Sequence, residues 1–271
     1  MPELPEVETT RRGIARALVG YRLENLEVRE NRFRWLVDLP TGEIVGQKLS
    51  GVHRRGKYLL LSFERGVLLL HLGMSGHLRI VRSDAPLRPH DHIDFDFEDE
   101  RVLRFNDPRR FGSVHWCTEA VLEHPLLIDL GVEPLSDEFD GTYLFERSRQ
   151  RKLAVKNFIM DAHIVVGVGN IYANEALFLA RIRPTTAAGS ISRLRYERLA
   201  DSIKAILQRA IDAGGTTLRD FVGFDGQPGY FALQLDVYGR AEKSCIHCGG
   251  RLKGIVLGQR QTVYCPSCQR R

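Results

Sequence analysis

Two groups of residues in this chain have the types and spacing to do chemistry. The first opens it: Pro2 and Glu3 stand directly behind Met1. Once the methionine is removed, Pro2 carries a free secondary amine. An α-amino group ionises at a pKa of about 7.7–8.0, so a useful fraction is neutral and nucleophilic near neutral pH. A helix N-terminus behind the amine favours the neutral form further, while the adjacent Glu3 carboxylate pulls the other way. Such an amine can attack C1′ of a nucleoside sugar, expel the base and hold the sugar as an iminium ion. The iminium acidifies the neighbouring carbon and permits elimination of the 3′ phosphate, with Glu3 placed to donate a proton.

The second group lies at the other end. Cys245 and Cys248, then Cys265 and Cys268, are two C-x2-C pairs separated by sixteen residues, the spacing of a ribbon that holds one zinc ion through four thiolates. Gly249-Gly250 and Pro266 supply tight turns. Two disulfides or redox-active dithiols are the alternatives. The chain starts with acidic residues and prolines rather than a secretory leader, which predicts a cytoplasmic, reducing setting that disfavours disulfides. No βαβ pattern surrounds the pairs as a redox dithiol would require. Four thiolates leave no open position for a substrate water, so a structural zinc is expected rather than a catalytic one. Cys117 stands apart and reads as an inert packing thiol.

Charge points to a partner. The chain of 271 residues carries a net +5. From Arg240 to Arg271 there are seven basic residues against Glu242 alone, so this tail holds +6 and the remainder −1. A basic segment of this kind favours a polyanion, nucleic acid before an anionic membrane surface, although a merely solvated terminus has the same composition. An apolar fraction of 43% with 27% charged residues supports a proper core and excludes a disordered chain. No apolar run approaches the roughly 20 residues of a membrane helix.

The elements that must position these groups are legible in outline. Residues 3–18 read as a helix, with Pro5 suited to its first turn, Glu3, Glu6 and Glu8 at its positive end, and Val7, Ile14 and Leu18 on one face. From about Tyr21 to Cys117 short β-type runs follow, among them 58–63, 67–70 and 93–97, with hairpin turns at 64–66 and 98–100. Many short strands at this spacing indicate an antiparallel sandwich or barrel. The pattern then turns helical, around 143–161, 171–180 and from a Ser192 cap to Gly214-Gly215. The change of character falls between Glu119 and Asp140. Gly167, Gly169 and Ala173 come within one residue of the spacing of a dinucleotide-binding turn, but no adequate strand precedes it and Arg181–Pro184 follows where a second parallel strand should begin. No nucleotide cofactor is therefore expected; a glycine turn opening a helix still offers backbone N–H groups to a phosphate.

Seven blocks, in order, make the chain similar to the formamidopyrimidine-DNA glycosylase family, bacterial repair enzymes for oxidised purines. They are Pro2 to Glu8, Arg55 to Tyr58, His71 to Gly76, Asn106 to Gly112, Gly167 to Glu175, Asp225 to Phe231 and the cysteine ribbon. The sister family, endonuclease VIII, typically starts Pro-Glu-Gly-Pro; Leu4 here points to the purine-lesion branch.

The resemblance implies an α+β chain. An N-terminal antiparallel β-sandwich with an N-terminal helix (1–130) carries catalysis, a helix–two-turn–helix domain (131–235) binds DNA, and a zinc finger spans 236–271. It makes Pro2 the Schiff-base nucleophile, Glu3 the acid, Lys57 a cationic assistant to β-elimination, and Arg260 the finger arginine that grips phosphate and assists δ-elimination. Met74, Arg109 and Phe111 match the residues that fill the gap left by a flipped nucleotide; without the resemblance the Met and Phe would read as core. Inserting a thioether, an aromatic ring and a guanidinium offsets an unstacking cost of a few kcal/mol. Arg151, Lys156 and Asn170 match phosphate contacts, His71 and His90 further DNA-facing positions, and Thr216 to Phe224 a loop over the flipped base. Ala162 stands where a side-chain amide is expected, and Phe224 where a small polar residue is common. The resemblance also implies a cytoplasmic, nucleoid-associated monomer whose partner is double-stranded DNA containing oxidised purines. An endonuclease VIII-type pyrimidine-lesion enzyme and a non-catalytic zinc-ribbon DNA-binding protein are the competing readings.

Overall fold

The computed structural model describes residues 2–214 and 235–270. Met1, the loop expected over Thr216–Phe224, the stretch Asp225–Phe231 and Arg271 lie outside the described residues. The chain divides into two compact units, one reaching to Ile128 and one comprising 129–213 and the residues from 233 onward.

In the first unit the chain runs α1 (Leu4–Leu18), β1 (Leu23–Val28), α2 (Thr41–Ile44), β2 (Gly51–Arg55), β3 (Tyr58–Ser62), β4 (Val67–His71), β5 (His77–Arg82), β6 (Asp91–Phe97), β7 (Arg101–Asn106) and β8 (Ser113–Cys117). Two four-stranded sheets result, ordered β1-β6-β7-β5 and β2-β3-β4-β8, with every pairing antiparallel. One apolar core joins them: Val7, Ile14 and Leu18 of α1 pack with Leu59, Leu61, Leu68 and Leu70 of one sheet and Ile93, Phe95, Leu103 and Phe105 of the other. The turns have local causes. At 66 an added Cβ would lie 2.5 Å from the Trp116 ring and 2.8 Å from the Cys117 carbonyl, so glycine is what lets the end of β8 lie against the β3–β4 turn. Asp99 and Glu100 both take left-handed backbone (φ 60° and 57°), the primed turn that matches the twist of β6 and β7.

The sheet that carries β5, β6 and β7 buries charge as well as carbon. Asp94 faces Arg104 in register, and the two pair through two hydrogen bonds of 2.8 Å with side chains 4% and 3% exposed. Asp91, fully buried at its side chain, accepts from Arg79 at 2.6 Å, from the Arg88 backbone at 2.7 Å and from Asn106 at 2.8 Å.

In the second unit lie α3 (Gly141–Ser148), α4 (Val155–Ile159), α5 (Asn170–Leu179), α6 (Arg193–Asp212) and the hairpin β9 (Lys253–Leu257) and β10 (Arg260–Tyr264). Helix spanning 143–161 is not observed as one element; it breaks between α3 and α4. The Arg149 guanidinium and the Ser148 hydroxyl both donate back to the Phe145 carbonyl, and Gln150 takes a positive φ of 62°, so the helical ladder cannot continue. Ser192 precedes α6 at the cap position but makes no side-chain capping bond. The core is built from Leu144, Phe158, Tyr172, Leu177, Tyr196, Ile203 and Leu207. Gly141 sits where a Cβ would be 2.3 Å from the Glu197 Cα, which is what lets α3 lie close on α6. No helix among the described residues is long and apolar enough to cross a membrane.

The buried pair gives a test of the first unit. Asp94→Ala removes the carboxylate that pairs with the buried Arg104 guanidinium, leaving it the Ala85 and Pro86 carbonyls and Asp91 at 3.8 Å, and urea unfolding should show a loss of about 3–5 kcal/mol, the range for breaking one side of a buried ion pair. A loss below 1 kcal/mol would mean the pair is solvated.

Candidate active site

The N-terminal residues are held rigidly. Pro2 precedes α1 directly, and Glu3 is its N-cap residue, 2% exposed. The Glu3 backbone N–H donates to the Glu6 carboxylate at 2.9 Å, so Glu6, itself buried, closes the first turn. One turn later Glu8 receives Arg11, Arg12 and, from β2, Arg54 at 3.2 Å. Burial pushes the Glu8 carboxyl up, but the three guanidinium contacts outweigh it and hold it below its ordinary value. This link fixes α1 against the strand that leads into Gly56 (φ 56°) and the half-buried Lys57.

Lys57 is followed by Tyr58, which faces His71 across the β3–β4 pairing with ring centroids 4.7 Å apart. The His71 Nδ1 accepts the Gly73 N–H at 3.0 Å. Burial, followed by the positive charges of Lys57 and Arg34 and opposed by Asp107, pulls the imidazole down to about 4. His71 is therefore neutral at neutral pH and can offer a hydrogen bond without adding a proton to the cationic surroundings.

A second group is organised by a residue that sequence reasoning did not single out. Asp107, with no exposed surface, accepts from the Ser75 hydroxyl at 2.6 Å, from the Gly112 N–H at 2.8 Å and from the Arg109 N–H at 3.3 Å. It thereby joins the loop 72–76 to the loop 107–112. A Cβ on Gly73 (φ 63°) would lie 2.4 Å from the Phe111 backbone, so the two loops run in contact. From them Met74 (41% exposed) and Phe111 (42% exposed) project outward, with the Arg109 guanidinium 4.7 Å from the Phe111 ring centre. The structure thus brings Met74, Arg109 and Phe111 together. His90, exposed and at φ 71°, belongs to the same neighbourhood through its carbonyl, which accepts the Asp107 N–H at 3.1 Å. Asp107 lies inside the block Asn106 to Gly112, which was the available signal.

In the second unit Gly169 caps α5, and the residues before it form only an isolated parallel bridge, Val132 to Val165, not the strand of a dinucleotide-binding unit. Lys156, expected to meet a phosphate, is fully buried: its ammonium donates to Asn170 Oδ1 at 2.6 Å, Thr262 Oγ1 at 2.6 Å and the Gln261 carbonyl at 3.2 Å. Asn170 is half-buried, and Arg151 and Arg260 are exposed. Ala162 uses its carbonyl, which accepts the Gly131 N–H at 2.8 Å. Two further α5 residues, absent from the sequence-based set, hold the ribbon. Asn174 accepts the Val263 N–H at 2.8 Å, and Glu175 accepts three backbone N–H groups, of Asp236, Val237 and Tyr238, at 2.8–3.0 Å. Burial raises the Glu175 carboxyl, against the pull of those three bonds.

The four cysteine sulfurs lie within 4.8 Å of one another, with Cys245 to Cys268 at 3.9 Å and Cys248 to Cys265 at 3.5 Å. Tetrahedral zinc with Zn–S bonds of about 2.3 Å requires sulfur separations of about 3.8 Å, and the donor set lies within about 1 Å of that geometry. Beneath it Phe178, Val237, Leu252 and Val263 form a small apolar cluster. The chain binds one structural zinc.

A helix-opened β-sandwich, a helical unit and a four-thiolate ribbon in one chain define a composite class, and comparison with known proteins gives it a family. Residues 1–114 match the formamidopyrimidine-DNA glycosylase N-terminal domain, 130–222 the H2TH domain of the same enzymes, and 243–271 a zinc finger found in FPG and IleRS. The chain belongs to the formamidopyrimidine-DNA glycosylase family. It is 59% identical over 272 residues to the formamidopyrimidine-DNA glycosylase of Pseudomonas aeruginosa (strain LESB58) and 55% over 271 residues to that of Acidithiobacillus ferrooxidans (strain ATCC 53993 / BNL-5-31), covering 100% of both chains in each case. Among solved structures, a Lactococcus lactis FPG mutant in complex with a Fapy-dG containing DNA superposes with a TM-score of 0.92 at 34% identity, over 100% of both chains. The Lactococcus lactis Fpg with an abasic site containing DNA gives 0.91 at 34% identity, over 99% of this chain and 100% of the other.

Two measurements follow. In an NMR titration His71 should stay neutral from about pH 8 to about pH 5 and protonate only near 4. Its folded value is depressed, so below the ordinary 6.5 the unfolded chain binds a proton that the folded chain refuses, and this contribution to stability is lost between about 6.5 and 4; a midpoint near 6.5 would contradict the buried, cation-flanked setting. Removing zinc with a chelator should expose 243–270 to protease. Emission from Trp35 and Trp116, both in the first unit, should hold steady, because that unit has its own core.

Proposed function

We propose that this chain excises oxidised purines, 8-oxoguanine and formamidopyrimidines, from duplex DNA and then cuts the strand at the abasic site it has made. The observation that carries the reading is the full-length likeness to Lactococcus structures holding Fapy-dG and abasic-site DNA, in a chain that begins Met1-Pro2-Glu3. After loss of Met1, the Pro2 nitrogen attacks C1′ and the bond from C1′ to the base breaks, the base leaving with a proton. The nitrogen gives up its own proton, the bond from C1′ to the ring oxygen O4′ breaks as O4′ takes up a proton, and an iminium at C1′ remains. Removal of a proton from C2′ then expels the 3′ phosphate, and a second elimination releases the 5′ phosphate. Glu3, the N-cap of α1, serves as the acid for the opening sugar or departing base. The α1 N-terminus keeps the neighbouring amine neutral by opposing a positive charge there. Lys57 supplies cationic assistance during β-elimination, and Arg260 grips phosphate and assists the δ step.

The family resemblance supports the remaining roles. Met74, Arg109 and Phe111, on loops locked by Asp107, enter the gap left by the flipped nucleotide. His71, His90, Arg151 and Asn170 contact the backbone. Lys156, fully buried, acts by holding Asn170 and the finger hairpin in place. Catalysis belongs to residues 1–130, duplex binding to 131–235 and to the finger at 236–271. The protein acts as a monomer without a nucleotide cofactor, in the cytoplasm at the nucleoid. A Lactococcus structure contains DNA with an oxidised pyrimidine, so pyrimidine lesions are the second substrate class to assay.

Borohydride added during reaction with 8-oxoguanine duplex should trap a covalent adduct that maps to Pro2 by peptide mass; a wild type that cleaves yet yields no adduct would reject the amine mechanism. Glu3→Gln should lower single-turnover base release by about 10²–10⁴-fold, the usual weight of general acid catalysis.

A further inference from the structure

Residues 31–36 form a closed turn, with Arg32 bridged to Leu36 and the Val37 N–H donating to the Asn31 carbonyl at 2.9 Å. Between this turn and the loop 107–112 lies a cavity of about 380 Å3 lined by Arg32, Phe33, Arg34, Arg109, Arg110 and Phe111. Four of these six residues are arginines. Arg32 and Arg110 share one carboxylate, Glu30, at 2.9 and 3.0 Å, so four positive charges meet one negative. The floor is fixed: Phe33 stacks on Phe105 at 5.6 Å and meets His92 edge-on at 5.4 Å. Arg34 lies 4.6 Å from the centre of the Trp35 ring. Its charge is one of those that depress His71, so the cavity borders the ground held by Lys57 and His71.

Stability does not account for this gathering of charge. Side-chain exposures of 78% for Arg32 and 43% for Arg110 leave their bonds to Glu30 screened by water, and such pairs contribute little. Like charges in one concavity repel unless an anion joins them. Guanidinium forks match the paired oxygens of a phosphate or a carboxylate, and the duplex of the proposed function offers phosphates.

We propose that this cavity is a phosphodiester-binding subsite, in which Arg32, Arg34 and Arg110 hold one backbone phosphate of the duplex beside the gap entered by Met74, Arg109 and Phe111. It rests on the proposed function, since the duplex is the ligand. The phosphate belongs to either strand.

The test uses the full zinc-loaded chain and a duplex containing tetrahydrofuran as an uncleavable abasic analogue, with affinity measured over a series of salt concentrations. Arg32→Ala/Arg34→Ala should bind about tenfold or more weakly, with the log–log salt slope smaller by about 0.9, one phosphate's worth. The control Arg65→Ala/Arg82→Ala removes two exposed arginines elsewhere on the same unit. Equal losses in control and test would reduce the effect to net charge and overturn the subsite. Single methylphosphonates are then walked along each strand. At the gripped phosphate the neutral linkage should weaken the wild type and abolish its difference from the double variant, which also names the strand. If no position in either strand does so, the subsite is overturned. Borohydride trapping by the wild type on abasic duplex is read in parallel. Trapping with an unchanged slope sinks the subsite alone, whereas a changed slope without trapping supports the subsite and sinks the amine mechanism.

Discussion

The second unit depends on a row of polar side chains that α5 turns toward the ribbon. Asn174 and Glu175, both buried beside the half-buried Asn170, would each cost about 1–3 kcal/mol or more without partners. Their partners are backbone groups and side chains of the finger and of the residues leading into it: Thr262 through Lys156, the Val263 N–H, and the N–H groups of 236–238. Each end of the exchange satisfies the other, so the ribbon has one seat and one orientation on the helix. Gln269 adds a further tie, accepting the Cys265 N–H and donating to the Ile182 carbonyl. Zinc holds the ribbon's two knuckles together, but it is α5 that decides where they stand.

The same logic governs charge near the metal. Four thiolates around a divalent ion leave a net charge of −2, and the cavity beside Cys248 and Cys268 is lined by Arg181, Arg195, His247 and Arg270. Of these arginines only Arg270 belongs to the basic tail, while Arg181 and Arg195 come from outside it, and most of the tail's positive residues, the exposed Arg260 among them, lie outside this cavity.

Features that repeat over short distances were legible in the sequence. The α1 face of Val7, Ile14 and Leu18, the β runs from 58 to 97, both hairpin turns and the thiolate pairs all appear in the structure as read. The reading over 143–161 failed because helical periodicity continues through a break made by Ser148 and Arg149 bonding back to one carbonyl, an event no periodicity records. Cross-links between distant segments were out of reach in the same way. Ser75 and Asp107 are 32 positions apart, and Lys156 and Thr262 are 106 apart. Composition assigns Met74 and Phe111 to a core; only the resemblance placed them outside it, and their exposure agrees. The loop from 216 to 224 rests on resemblance alone.

One consequence reaches beyond the single site. Because Gly73 and the Phe111 backbone touch, and one carboxylate fastens both loops, the two loops that carry the projecting Met, Arg and Phe form a single mount. The entropy of ordering them is lost once, when the chain folds, and not again at each meeting with a helix of DNA. Rapid sampling of many undamaged steps is compatible with such a part, whereas a floppy probe would have to freeze at every one.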